Sequence, residues 1–110
     1  MATPEGYVAV KRYDEIPEGG IVPFEVDDDE RILVKLEGNV YALSGICTHE
    51  YAELAEGDLE DHVIYCPLHG SGFDLETGRV TALPATQPLP VYDVQIVDGV
   101  VYVSREPRQG

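Results

Sequence analysis

Apolar and polar residues alternate along this chain in short bursts separated by turn-forming residues. No segment keeps a helical period for more than about two turns. Tyr7 to Arg12 alternates weakly and predicts a strand. Tyr13 to Gly20 is a turn-rich link, and Ile21 to Val26 predicts a second strand whose Pro23 points to an edge or a bulge. The acidic run Asp27 to Glu30 reads as a solvated turn, because it lacks the glycine and the distant glutamate of a calcium loop. Arg31 to Glu37 sets Ile32, Val34 and Leu36 against Arg31, Leu33 and Lys35. With Gly38-Asn39 as the turn and Val40 to Leu43 returning, this predicts a hairpin. A second hairpin is predicted from Val91 to Val97 and Val100 to Ser104 around Asp98-Gly99, a dipeptide that accepts positive φ at both turn positions. Residues 50–57 form a short helical turn at most. The predicted fold class is therefore all-β, with hairpins on both sides of a middle stretch, about residues 45–80, rich in Gly, Cys and His.

At 110 residues the chain suits one domain, 1–110, and leaves little room for a deep substrate pocket beside a core. Its 21 acidic and 7 basic residues give a net charge of −14. Such a surface repels phosphate backbones and anionic lipid, so nucleic acid and membranes are poor partners, and a protein with a basic docking face is a good one. The first residues carry no basic or apolar leader pattern, and no later stretch reaches the ~18 apolar residues of a span. A cytoplasmic location is the expectation, and there a disulfide between the two cysteines would be unusual.

Both cysteines and two of the three histidines fall in the middle stretch. Cys47-Thr48-His49 is followed by sixteen residues and then by Cys66-Pro67-Leu68-His69. The third histidine, His62, matches no motif and reads as a surface strand residue. Two thiolates and two imidazoles suit either a tetrahedral zinc or a [2Fe–2S] cluster with two Cys on one iron and two His on the other. The usual zinc modules group Cys with Cys and His with His. Here each loop offers one of each, which favours a binuclear cluster reached from two loops.

These two segments, with Gly70-Ser71-Gly72-Phe73-Asp74 after the second, closely resemble the cluster-binding loops of Rieske proteins. Within that family the chain resembles the small ferredoxins of bacterial aromatic-ring dioxygenase systems. The resemblance extends to the hairpin from Val34 to Leu43, to Gly78-Arg79 and to Thr86-Gln87-Pro88-Leu89-Pro90. It implies antiparallel β-sheets, a sandwich or barrel base with a small cluster-binding subdomain, and one Rieske-type [2Fe–2S] cluster. Cys47 and Cys66 would ligate the inner iron, and His49 and His69 the outer. It also implies a non-enzymatic role, carrying single electrons from a flavin-dependent reductase to a terminal Rieske oxygenase. The alternatives are a small subunit of an enzyme complex such as an assimilatory nitrite reductase, and a zinc-stabilised interaction domain.

The same resemblance bears on reduction potential. High-potential Rieske proteins carry an extra cysteine in each loop, joined as a disulfide; the matching positions here are Ala52 and Leu68. Ser71 matches a serine that bonds a bridging sulfide, and Phe73 replaces a tyrosine that bonds a ligand sulfur. The implied potential lies in the lower half of the family's range. Leu83-Pro84-Ala85 resembles a proline loop that covers the cluster from a third side, and Glu50 and Tyr51 fall on the expected docking rim.

Overall fold

The computed structural model describes residues 5–48, 52–68 and 70–108, and they form two antiparallel sheets. The larger sheet contains β1 (Tyr7–Arg12), β2 (Ile21–Val26), β3 (Asp29–Leu36), β4 (Asn39–Ser44), β9 (Val91–Val97) and β10 (Val100–Pro107), in the order β1-β10-β9-β4-β3-β2. Its edge strands curl toward each other: Val8 to Val10 of β1 and Phe24 to Val26 of β2 line one cavity of about 270 Å³. The sheet is thus a nearly closed barrel. Pro23 lies on the edge strand β2, where its missing N–H costs no ladder bond on the open side.

Strand β3 shows why the barrel can carry a second layer. Arg31, Ile32, Leu33 and Val34 are all buried, so both faces of the strand are covered. Leu33 packs with Ile16, Ala42, Tyr92, Val101 and Val103 in one core. Ile32 and Val34 face a second core with Leu43, Leu54, Ile64, Phe73 and Leu75. Alternation in β3 therefore separates two apolar cores rather than a core from water.

Three local expectations are corrected. The first hairpin turns at Glu37-Gly38, one residue before Gly38-Asn39, since Leu36 pairs with Asn39. Glu37 and Gly38 both adopt positive φ, 53° and 80°. The Glu18 carboxylate accepts both turn amides, at 2.5 and 3.1 Å, and Tyr13 donates its hydroxyl to the Gly38 carbonyl. Remote partners thus stabilise a glutamate in a conformation it rarely takes alone. The acidic run is split as well: Asp27 and Asp28 form the turn, while Asp29 and Glu30 begin β3. Last, β10 continues past Ser104 to Pro107. Val103 pairs with Val94 but Pro107 with Tyr92, a shift that leaves two extra residues on β10. The Arg31 guanidinium fills this irregularity, donating to the carbonyls of Ser104 (2.7 Å) and Arg105 (2.6 Å) that the ladder leaves over.

The smaller sheet inserts between β4 and β9. It contains β5 (Asp58–Glu60), β6 (Val63–Tyr65), β7 (Gly72–Asp74) and β8 (Val80–Ala82), in chain order. Behind β7 the Asp74 carboxylate accepts the amides of Glu76 and Thr77, tightening the turn to Gly78. Gly78 has φ +78°, and a Cβ there would collide with the Leu89 carbonyl, which belongs to the segment returning to the barrel. Gly78→Ala is expected to destabilise the protein by ~3 kcal/mol, from backbone strain plus the clash. The check is the urea midpoint, which should fall while the slope is unchanged.

Candidate metal centre

The register of the small sheet sets one of its ends apart. Tyr65 pairs with Asp58 on one side and with Gly72 on the other, and Gly72 also pairs with Ala82. Chain leaving these positions therefore emerges at a common edge. Cys66 and Ser71 lie in the β6–β7 connection, Leu83 follows β8, and Gly57 precedes β5. Within the connection, Cys66 donates its amide to the Ser71 carbonyl (2.8 Å) and accepts the Gly70 amide at its own carbonyl (3.2 Å). Gly70 has φ +79°, which lets the loop reverse in so few residues.

The first loop leaves β4 at Ser44. Ile46 bridges to Glu53, and the Cys47 amide donates to the Ala52 carbonyl (3.0 Å), so the two ends of the loop are joined at its base. A short 3-10 helix, Leu54–Glu56, follows and matches the expected helical turn within 50–57. Cys47 and Cys66 are 4% and 3% exposed and belong to one buried cluster, together with Ala52, Phe73 and Ala85. No disulfide joins them. Two thiols from different loops thus share one apolar environment, which shields their sulfur atoms from water.

His49 and His69 lie outside the described residues, as do Glu50 and Tyr51. Among the described residues no group of three or more His, Cys, Asp or Glu gathers as a metal site. The ligand set of four therefore has only its cysteine half in the described geometry. His62 is placed elsewhere: it occupies the β5–β6 turn at the opposite end of the small sheet, not a strand. It is exposed, with Nε2 3.6 Å from a carboxylate oxygen of Glu37.

The surroundings of the thiols fit a sulfur-rich group that gains negative charge on reduction. Ser71 is 1% exposed, and its Oγ accepts the Ala85 amide at 3.0 Å. That bond takes a lone pair and leaves the hydroxyl proton to donate. Pro67 brings no amide of its own beside Cys66. Phe73 is fully buried and, as expected, has no hydroxyl to give. One contact carried no signal in the sequence: the Thr48 hydroxyl donates to the Gln87 carbonyl (2.8 Å), 39 residues away. Only the folded path of residues 83–90 brings that acceptor near.

The sequence profile of the Rieske [2Fe–2S] domain matches residues 6–93. This chain belongs to the Rieske [2Fe–2S] domain family. The ferredoxin component of the naphthalene 1,2-dioxygenase system of Pseudomonas aeruginosa is 43% identical to it over 82 residues, 74% of this chain and 79% of that relative. The ferredoxin of carbazole 1,9a-dioxygenase from Nocardioides aromaticivorans IC177 superposes with a TM-score of 0.89 at 36% identity, covering 93% of this chain and 100% of that one. A chain from a complex of reduced oxygenase and oxidized ferredoxin in carbazole 1,9a-dioxygenase superposes with a TM-score of 0.90 at 32% identity, covering 96% and 99%. These Rieske relatives are ferredoxin components, and the fold expected from the resemblance, a barrel base with a small subdomain, is the fold found. Among the described residues no helix is long and apolar enough to cross a membrane.

Proposed function

We propose that this Rieske protein is a one-electron carrier that holds one [2Fe–2S] cluster on Cys47, His49, Cys66 and His69. It would accept an electron from a flavin-dependent reductase and pass it to a terminal ring-hydroxylating oxygenase. The observation that carries the reading is the burial of Cys47 and Cys66, from two separate loops, in one water-excluding cluster. The family match favours the binuclear cluster over zinc, and the ferredoxin relatives favour a carrier over a nitrite-reductase subunit. On this reading the whole chain, 1–110, works as one domain in the cytoplasm.

When bound, the cluster supplies a centre that takes up and releases one electron; the protein tunes and presents it. Ser71 would stabilise added negative charge with the hydroxyl proton that the Ala85 amide leaves available. A hydroxyl worth ~1 kcal/mol more to the reduced form corresponds to roughly 40 mV for one electron. Ser71→Ala is therefore expected to lower the potential by about that much. Phe73→Tyr, by restoring the hydroxyl, is expected to raise it. Protein-film voltammetry reads both, and an unmoved potential in either variant removes that residue's assigned role.

The cluster end also has the surface of a docking site. Leu68 and Leu83 are 58% and 74% exposed there, and the return of the first loop exposes Glu53, Glu56 and Asp58. None of the seven Lys and Arg falls in segments 45–58, 66–72 or 82–88. An apolar centre with an acidic border suits a partner face with basic residues around an apolar socket. The similar carbazole dioxygenase ferredoxin is known in complex with its oxygenase, which supports the direction of transfer.

The test has two parts. Purified protein should be red-brown and give a rhombic EPR signal on reduction. Supplied with the reductase and oxygenase of the P. aeruginosa naphthalene dioxygenase system, it should support product formation that weakens as salt rises. Colourless, zinc-loaded protein would defeat the cluster assignment.

A further inference from the structure

Residues 82–90 run past both loops that carry the cysteines, and hydrogen bonds tie them at several points. Ala82 pairs with Gly72, and the Ala85 amide donates to the Ser71 hydroxyl (3.0 Å) on the second loop. The Gln87 carbonyl accepts the Thr48 hydroxyl (2.8 Å) on the first. The Leu89 amide donates to the Gly78 carbonyl (2.8 Å), and the Pro90 carbonyl accepts the Ser44 amide (3.0 Å) where β4 ends. Ala85 and Leu89 are buried, and Ala85 lies in the same cluster as Cys47 and Cys66.

The attachments are uneven. The second loop is held by its own hairpin and by the bond at Ser71. Among the described residues, one hydrogen bond joins the tip of the first loop, residues 46–48, to this segment, and Thr48 makes it. The other bonds of that loop do not reach the segment: Cys47 to Ala52, Ile46 to Ser44 and Leu54 to Gly45 stay within it, and the Gly45 amide donates to the Glu30 carbonyl of β3 (2.8 Å).

We propose that residues 83–87 act as a spacer strap between the two cysteine loops, and that Thr48 is a positioning residue whose hydroxyl, clamped on the Gln87 carbonyl, sets the distance from Cys47 to Cys66. The proposal goes past covering the cluster, the role the resemblance implies for Leu83-Pro84-Ala85: it assigns what holds the cover to the first loop. It rests on the reading of Cys47 and Cys66 as cluster ligands. Thr48 makes no claim on the electron. It acts through the backbone of its neighbour Cys47, whose thiol cannot move independently of a loop pinned one residue away. Ser71 and Thr48 use opposite halves of the hydroxyl toward the strap, one accepting from an amide and the other donating to a carbonyl. The strap therefore presents both a donor and an acceptor to side chains of two different loops.

The experiment uses the holoprotein and three chains: the parent, Thr48→Val and Thr48→Ser. Valine keeps the volume and branching of threonine and removes the donor; serine keeps the donor and removes the methyl group. Cluster loss to excess EDTA is followed by visible absorbance, and the reduced proteins are compared by EPR. Thr48→Val is expected to lose its cluster about fivefold faster than the parent, the effect of one missing neutral hydrogen bond, with shifted or broadened g-values. Thr48→Ser is expected to match the parent in both readouts. A Val variant that never loads, beside a Ser variant with parental spectra, supports the proposal too. A Val variant indistinguishable from the parent overturns it. So does a Ser variant as impaired as the Val variant, which would assign the effect to methyl packing. A parent that binds no iron defeats the ligand assignment instead, so the two failures are distinguishable.

Discussion

Cys47→Ser and Cys66→Ser are each expected to abolish the cluster, leaving colourless protein with no rhombic EPR signal and iron near zero by colorimetric assay. The reason is chemical before it is structural. Iron–sulfur clusters are held by thiolates, and a serine hydroxyl is far harder to deprotonate and is a poorer partner for a sulfur-bridged iron pair. The site adds a second cost. Both positions are almost fully buried among Ala52, Phe73 and Ala85. A hydroxyl left there without a partner would oppose folding of the loop around it, by ~1–3 kcal/mol. The two substitutions should still differ in what survives. Cys66 sits in a hairpin connection closed by its own amide and carbonyl bonds, to Ser71 and from Gly70. The first loop relies on Cys47 to Ala52, on the base at Ile46–Glu53 and on Thr48. Far-UV circular dichroism should keep the barrel signal in both variants, because the core of Leu33, Ala42, Val101 and Val103 is separate from the cluster pocket. A Cys→Ser protein that keeps full iron and the EPR signal would remove that cysteine from the ligand set.

Replacing Arg31 should produce a large loss of stability away from the cysteine loops. Arg31 is 4% exposed, yet each of its three guanidinium nitrogens donates a hydrogen bond. It donates to Ser104 and Arg105 carbonyls, pairs with Asp29 at 2.8 Å, and lies 3.7 Å from the Tyr92 ring centroid. Arg31→Met fills similar volume but leaves two backbone carbonyls in the β10 irregularity without donors. The expected loss is ~3 kcal/mol, typical of removing one partner from a buried charged network. Arg31→Lys should recover less than half of it, because one ammonium cannot supply the planar fork and the stacking together. The urea midpoint measures both; a Met variant as stable as the parent would show that the irregularity tolerates water in place of the guanidinium.

The same network makes stability sensitive to alkali. Burial raises the Tyr92 phenol above its usual 10.0, with Asp29 adding to the rise and Arg31 opposing it. The folded state thus holds the phenol proton more tightly than the unfolded state does. This contribution is complete below pH 10.0 and is lost as pH rises through the folded value.

Much of the architecture could be read along the chain. β1 and β2 fall where alternation and Pro23 put them, and Asp98-Gly99 turns the last hairpin as its positive φ values require. Local rules failed where distant groups outweighed them. Glu37-Gly38 rather than Gly38-Asn39 became the turn because Glu18 and Tyr13 bind it from another part of the barrel. Asp29 joined a strand because Arg31 and Tyr92 give its carboxylate two partners. His62 fell in a turn because the small strands β5 and β6 are only three residues long, too short for periodicity to set their ends.

The sequence by itself determined which candidate ligand types the chain offers, since one Cys and one His in each of two segments are local properties of the chain. It also determined the acidic charge, the hairpins and the missing hydroxyl at Phe73. The tertiary structure decided that Cys47 and Cys66 belong to one buried apolar cluster, because that requires two loops separated in sequence to return to the same end of the small sheet. It alone decided that Thr48 meets Gln87, that Ser71 meets Ala85, and that Arg31 fills the gap in β10. Each of those contacts joins residues far apart in sequence, whose meeting depends on register and closure rather than on any local pattern.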